Sequence, residues 1–346
     1  MRVLHLLSTN SFSGAENVVC QIIDMYESDK NIDMVYCSPD GKIRESLRKK
    51  NIRFLALEKY NYACIKDAVS KYNPDIIHAH DVKASIYASL FSKNIKIISH
   101  IHGNDLNMRK VTLKSLLYLI VSKKFKHIFW VSDSSLKDYR FYKSICKKSS
   151  ILVNIVNKSM ILKKSREEEI KENFDAIYVG RLIELKNPMR LLKIFSKVIT
   201  EIPSATIAII GTGNMYDEIK EYIENNKLDK NIFLLSFKDN PYVYIKKSKM
   251  MLLTSIYEGT PMCAVEAMCL GKPVISTPTD GMVNLIEQNV NGFLSNDDNE
   301  LSEKIINLIN NKLELEEMSK NADKYSTKMN DIKKYKKEID FYYDIN

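Results

Sequence analysis

Apolar runs alternate with polar or helical stretches through one half of this chain, and then do so again through the other. In the first half the runs fall at 2–7, 33–37, 75–79, 96–101, 127–131 and 151–156. In the second they fall at 175–180, 205–210, 231–235, 249–254, 273–276 and 292–294. Short apolar runs separated by helix-length segments predict parallel strands buried on both faces, with helices on either side of each sheet. A chain of 346 residues has room for two such doubly wound α/β domains of roughly 150 residues each. The break is expected between Asn157 and Asn173, around the solvated charge run Lys163-Lys164-Ser165-Arg166-Glu167-Glu168-Glu169. The expected domains are therefore residues 1–157 and 174–324, followed by a polar tail at 325–346 that carries Tyr335, Phe341, Tyr342 and Tyr343.

Several classes are set aside on composition. No apolar run reaches the 18 residues that a membrane-spanning helix needs. Met1-Arg2-Val3-Leu4-His5-Leu6-Leu7 enters a strand directly and has no small-residue cleavage site, unlike a signal peptide. Cysteines 20, 37, 64, 146, 263 and 269 lack Cys-x-x-Cys spacing and read as reduced core cysteines of a cytosolic protein.

The segment richest in chemistry is Tyr257-Glu258-Gly259-Thr260-Pro261-Met262-Cys263-Ala264-Val265-Glu266-Ala267-Met268. It follows the apolar strand Met250 to Ser255 and leads into a short apolar helix. Pro261 is expected at the first helical position, where its missing N–H has no partner to lose. The N–H groups of Met262 and Cys263 then point outward at the positive end of the helix dipole, which suits a phosphate. Glu258 and Glu266 flank that end as pure hydrogen-bond acceptors for hydroxyl groups. A phosphate site edged by such carboxylates suits a nucleotide sugar.

Glu258 and Glu266, with Gly259 to Val265 between them, resemble the signature of the retaining GT-B glycosyltransferases of family 4. Tyr178-Val179-Gly180-Arg181-Leu182-Ile183-Glu184-Leu185-Lys186-Asn187-Pro188 is similar to the family's phosphate-gripping segment. Ile209-Ile210-Gly211-Thr212-Gly213-Asn214, Gly271-Lys272-Pro273 and Asn291-Gly292-Phe293-Leu294 follow in the family's order. In the first half, Phe12-Ser13-Gly14-Ala15-Glu16 resembles its Gly-rich first loop, and His100-Ile101-His102-Gly103 the strand end that carries a catalytic-site histidine. The resemblance implies two Rossmann-like domains facing a cleft, with the C-terminal helix crossing back to the first. The loops 11–16, 102–105, 181–186 and 258–262 all follow strands, which is where open α/β sheets bind ligands.

The roles that the resemblance implies are specific. Arg181 and Lys186 hold the pyrophosphate of a nucleotide-diphosphate sugar, for which a UDP-sugar is expected. Thr260, Pro261, Met262 and Cys263 approach the donor phosphates, Glu266 takes the ribose hydroxyls, and Glu258 takes a hydroxyl of the sugar. Gly14 lets backbone approach the phosphates from the first domain, and His102 hydrogen-bonds the donor sugar. Transfer with retention implies same-face attack, with the leaving phosphate taking the acceptor's proton. The chain departs from the family pattern in two places. Ser13-Gly14 stands where two glycines are common, and Val153-Asn154-Ile155-Val156-Asn157 replaces a Pro-Asn-Gly turn. A β-branched Ile155 cannot adopt positive φ cheaply, so that connection must be built differently. Within the same fold an epimerase of sugar nucleotides is the alternative enzyme. A non-catalytic sugar-nucleotide-binding subunit is the alternative from another class.

All six histidines precede residue 128: His5, His78, His80, His100, His102 and His127. The pairs His78/His80 and His100/His102 each face one side of a strand. Two such pairs suggest zinc, but no Cys or carboxylate completes either set. There is no Asp-x-Asp pair, so no metal and no cofactor are expected.

Charge is concentrated in the first half. Residues 106–148 carry eleven Lys or Arg against Asp133 and Asp138. Within them the apolar run Leu116 to Val121 is flanked by Lys110, Lys114, Lys123 and Lys124. A basic helix of this kind suits an anionic membrane surface, although it also reads as a core helix with a solvated rim. No nucleic-acid recognition motif accompanies the charge. The expected acceptor is a glycan, including one linked to undecaprenyl. It would be met on the cytoplasmic face of a bacterial plasma membrane during capsule, O-antigen or related synthesis.

Overall fold

The computed structural model describes residues 1–12, 14–103, 106–259 and 261–345. Ser13, Asn104, Asp105 and Thr260, which belong to the expected ligand loops, lie outside them. The chain forms two units, Met1–Asn154 with Ile332–Asn346, and Ile155–Asp331.

The first unit is built on seven parallel strands: β1 (Arg2–Leu6), β2 (Asp33–Pro39), β3 (Phe54–Leu57), β4 (Ile76–Ala79), β5 (Lys96–Ile101), β6 (His127–Trp130) and β7 (Ser149–Ile151). Their order is β3-β2-β1-β4-β5-β6-β7. The second unit has β8 (Phe174–Val179), β9 (Ile207–Ile210), β10 (Ile232–Leu234), β11 (Ser248–Leu253), β12 (Val274–Ser276) and β13 (Gly292–Leu294). Their order is β10-β9-β8-β11-β12-β13. Each unit is thus a doubly wound Rossmann-like sheet with one reversal of strand order, between β1 and β4 or between β8 and β11. Strands such as β4, β9 and β11 are buried almost throughout, because helices cover both faces and polar alternation has no solvent side to serve.

The sheet departs from the sequence reading at its edges. The edge strand β3 was not expected, although Phe54-Leu55-Ala56-Leu57 is continuously apolar; its four residues are mostly half-buried at the margin of the sheet. The run at 151–156 is not a strand beyond Ile151. Instead, Ile155 and Val156 are buried, and the Val156 N–H donates to Asn330 Oδ1 at 2.9 Å. Ile155 does not have positive φ, so a long-range side-chain acceptor supports this connection. The charge run expected at the break begins inside the second unit. The helix Lys158–Lys164 is capped by Asn157 and buries Ile161. The six cysteines are unpaired, but Cys146 is exposed and Cys64 and Cys263 are half-buried, so only Cys20, Cys37 and Cys269 are core cysteines.

The helix Leu113–Ser122 inverts the usual arrangement. It buries Ser115, Tyr118 and Ser122 and exposes Leu113 (75%), Leu116 and Leu117 (39% each) and Ile120 (62%). The buried face is satisfied by hydroxyls: Tyr118 OH meets Ser99 Oγ at 2.8 Å, and Ser99 Oγ meets Ser85 Oγ at 2.7 Å. Tyr139 OH donates to the Ser115 carbonyl at 2.8 Å. Leu119 and Val121 still pack against the core, so the helix is apolar on both sides and leaves Leu113, Leu116, Leu117 and Ile120 outside.

The C-terminal helix Ile332–Tyr343 closes the first unit by burying Tyr335, Ile339 and Tyr343. Tyr343 OH lies 2.7 Å from His78 Nδ1, and Tyr26 OH donates to Asp340 at 2.6 Å. Tyr343→Ala is expected to destabilise this unit by about 3–5 kcal/mol, since it removes a fully buried aromatic ring. Tyr343→Phe should cost only about 1 kcal/mol, the worth of one hydrogen bond. Urea unfolding checks both values; an alanine variant as stable as wild type would detach this helix from the core.

Candidate functional site

At the reversal point of the second sheet, two loops that are distant in sequence come together. The loop after β8 runs from Gly180 to Lys186, and the loop after β11 from Thr254 to Gly259. They are stitched by Ile256 N–H to the Leu185 carbonyl at 3.0 Å and Thr254 Oγ1 to the Asn187 carbonyl at 2.9 Å. Across this seam Lys186 forms an ion pair with Glu258 Oε1, and Ser255 Oγ donates to the same oxygen at 2.7 Å. Both charged side chains are largely shielded from solvent, at 19% and 9% exposure. A carboxylate so buried costs several kcal/mol unless it is paired and hydrogen-bonded, and Glu258 has both kinds of partner.

The helix that follows spans Met262–Cys269, with Pro261 as its extended N-cap (ψ 106) rather than its first helical residue. The N–H groups of Met262 and Cys263 occupy the first helical positions and have no intrahelical acceptor. Glu266 is buried in the second turn and accepts from Tyr242 OH at 3.0 Å. Burial pushes the half-buried Cys263 thiol up to about 12; Glu258 and Glu266 raise it further, and Lys186 opposes them. Cys263 is thus a neutral lining group, not a nucleophile. Arg181 shares its loop with Lys186 but is exposed, and its carbonyl accepts from Tyr178 OH at 3.0 Å. Lys186, Glu258, Pro261, Met262, Cys263 and Glu266 are brought together here, with Arg181 on the rim.

Sequence reasoning missed three supports. Ser255 and Tyr242 fix the two carboxylates, and Gly281 lets a neighbouring loop approach. A Cβ on Gly281 would lie 1.3 Å from the Gly259 carbonyl oxygen, while the Gly281 N–H donates to the Glu258 carbonyl at 3.2 Å. Position just after strand β11 was the available signal for Ser255, and the glycine itself, within the short helix Asp280–Val283 that follows β12, for Gly281. Tyr242 carried none, because only the fold brings it to Glu266.

In the first unit, Gly14 opens the helix Gly14–Tyr26 after β1, and half-buried His102 follows β5. The Gly14 loop is held by Thr9 Oγ1 donating to Glu16 at 2.5 Å and Ser8 N–H to Asp81 at 2.9 Å. His102 does not stand alone. Its Nε2 is 2.9 Å from His80 Nδ1, and His80 Nε2 is 2.9 Å from His5 Nδ1. Burial pushes His5 and His102 down to about 3, with Asn154 partly opposing the shift of His102. It drives His78, His80 and His100 well below the usual histidine range, and the neighbouring histidines add to that.

Two units whose first six strands share one order, with polar loops gathered where that order reverses, define the class of two-domain GT-B glycosyltransferases. Residues 161–325 match the model described as glycosyl transferases group 1, and residues 12–159 match glycosyltransferase family 4. The chain belongs to this glycosyltransferase family. An uncharacterized glycosyltransferase of Methanocaldococcus jannaschii is 28% identical over 63% of this chain and 59% of its own length. The chain therefore spans about three fifths of that relative. The UDP-Gal:alpha-D-GlcNAc-diphosphoundecaprenol alpha-1,3-galactosyltransferase of Escherichia coli is 24% identical over 100% of this chain and 97% of its own. Among solved structures, Anabaena HepE in complex with UDP-glucose superposes with a TM-score of 0.81 at 20% identity, covering 98% of both chains.

The histidine cluster predicts a pH dependence. The folded state holds these rings neutral, whereas an unfolded histidine takes a proton near pH 6.5. Below that pH the unfolded state binds more protons, so stability is full above about 6.5 and falls as pH drops towards about 3. Between pH 7.5 and 5.5 each buried histidine should cost on the order of 1 kcal/mol. Urea unfolding at the two pH values tests this; equal midpoints would mean that the rings take protons in the fold as they do in the unfolded chain.

Proposed function

We propose that this chain is a retaining glycosyltransferase that moves a sugar from a nucleoside-diphosphate donor to a lipid-linked glycan in surface-polysaccharide assembly. The observation that carries the reading is the Lys186–Glu258 pair beside the N-terminus of the helix Met262–Cys269, with Glu266 buried in its second turn. A cation, a helix N-terminus and two hydrogen-bonded carboxylates fit a diphosphate, a ribose and a sugar. The E. coli relative's donor and diphosphoundecaprenol-linked acceptor, and the UDP-glucose bound by the Anabaena protein, support a UDP-sugar and a lipid-linked acceptor.

The ion pair suggests an exchange of partners. An incoming pyrophosphate replaces Glu258 as the counter-charge of Lys186, with Arg181 adding a bidentate contact. Glu258 is then released to accept from a sugar hydroxyl, while Glu266 accepts from the ribose. Pro261, Met262 and Cys263 line the phosphates, with Thr260 proposed to join them. In the first unit, Gly14 gives backbone access to phosphate and His102 hydrogen-bonds the sugar. The acceptor oxygen bonds to the anomeric carbon as the carbon–phosphate-oxygen bond breaks on the same face. The acceptor's proton passes to the departing phosphate.

Lys186→Met and Arg181→Ala should each weaken binding of the nucleoside diphosphate roughly 10- to 100-fold, the worth of a charge-assisted contact. Glu258→Gln should leave that affinity intact, or raise it slightly by removing a competitor, while lowering kcat. Glu266→Gln should weaken nucleotide binding. Calorimetry and kinetics separate these, and identical losses in the two glutamate variants would refute the division of roles.

We also propose that transfer needs no metal, because cations and the helix N-terminus neutralise the leaving group. Activity should persist in excess chelator; loss that manganese or magnesium restores would contradict this.

The exposed leucines of the helix Leu113–Ser122, with Lys110, Lys123 and Lys124 nearby, support docking on an anionic membrane surface. No helix among the described residues is long and apolar enough to cross a membrane. Basic residues near such a surface add about 1 kcal/mol each, and burial of the apolar side adds to them. Leu117→Glu with Ile120→Glu should abolish sedimentation with anionic vesicles and leave nucleotide affinity unchanged. Wild-type protein that sediments equally with neutral and anionic vesicles at low salt would remove the membrane from this reading.

A further inference from the structure

Five histidines share one face of the first sheet at its reversal point. His5 of β1 stands in register with His78 of β4, and His80 follows two residues later on the same face. β5 lies beside β4 and brings His100, then His102 just past its end. The two His-x-His pairs seen in the sequence are therefore one cluster. Ring centroids are 4.2 Å apart for His78–His80, 4.0 Å for His100–His102 and 5.2 Å for His80–His102.

One ring has no structural explanation. His100 is fully buried, and neither of its nitrogens has a hydrogen-bond partner. A neutral imidazole carries one donor and one acceptor, and burying both unmade is a desolvation cost that an interior normally avoids. Beside it, one ligand nitrogen each of His80, His100 and His102 lies within 4.8 Å of the other two. Zn–N bonds of about 2.0–2.1 Å in a tetrahedral site place imidazole nitrogens about 3.3 Å apart. The 2.9 Å His80–His102 edge is shorter than this, so these two rings must part slightly to admit an ion.

We propose that His80, His100 and His102 form a three-imidazole site for a zinc-class divalent cation, with the fourth position open on the half-exposed His102 side. Three histidines with one open position is an established zinc donor set. Imidazole nitrogen selects zinc, copper or nickel, whereas magnesium and calcium require oxygen. A second triad, His5, His78 and His80, meets the same distance limit and leaves His78 Nε2 unpartnered. All three of its rings are fully buried, so an ion has no path to it, whereas His102 gives the first triad one. His102 is shared with the sugar contact proposed above, whereas neutralisation of the leaving group is proposed to use no ion.

The test is binding, not activity. Protein stripped with chelator and desalted is titrated with Zn²⁺ against a chromophoric competitor. One Zn²⁺ per chain is expected, and Co²⁺ in its place should show the visible bands of a four-coordinate site. H100N should weaken Zn²⁺ at least about 100-fold, as should H102N, which lies at the half-exposed end and guards against misfolding of a core variant. H78N should change affinity less than about threefold. No Zn²⁺ bound by folded wild type, or undiminished affinity in H102N, would overturn the assignment. So would loss in H78N with H100N unaffected, because the ion would then belong to the other triad.

Discussion

A parallel sheet covered by helices on both faces offers polar groups few ways out, and the ends of its strands are the main one. Everything functional in this chain follows from that constraint. β8 and β11 are neighbours in the sheet although they are far apart in sequence, and their register sets Lys186 against Glu258 across a separation of 72 residues. The carboxylates tolerate burial there because each has a dedicated donor, Ser255 for Glu258 and Tyr242 for Glu266. Removing a partner would leave a buried charge uncompensated, which is worse than never having buried it.

The two sheets share a topology and differ in the chemistry at their reversal points. The second gathers charge: an ammonium, two carboxylates and a helix N-terminus. The first gathers neutral rings, which stack across β1, β4 and β5 and are held uncharged by burial. A charged cluster can exchange its internal pairs for those of an ionic ligand. A stack of neutral imidazoles can instead give lone pairs or hydrogen bonds without separating charge.

The helix Leu113–Ser122 follows the same economy of polar groups in reverse. Tyr118 turns inward, where Ser99 meets its hydroxyl, and Ser115 and Ser122 satisfy theirs on nearby backbone carbonyls, which leaves Leu113, Leu116, Leu117 and Ile120 for the outside. Hydrophobicity alone would orient it the other way. The hydroxyl chain, which the spacing of residues does not reveal, reverses it.

How much was legible depended on how local each signal was. Apolar runs announced eleven of the strands nearly in place, because a strand buried on both faces needs a continuous apolar segment. The edge strand β3 was not expected despite its short apolar run Phe54 to Leu57, and the run at 151–156 misled, since its burial comes from irregular chain supported by Asn330. The loop residues of the second unit were legible from their motifs, but their pairing was not. From sequence Lys186 was a phosphate cation and Glu258 a sugar acceptor, and nothing in their spacing showed that they neutralise each other. The histidines read as two separate pairs because periodicity describes one strand at a time. By itself the sequence determined the alternation of elements, the family and the residue types at the strand ends, all properties of short segments. Tertiary structure alone decided which of those ends meet, since strand order and register join residues that no local pattern relates.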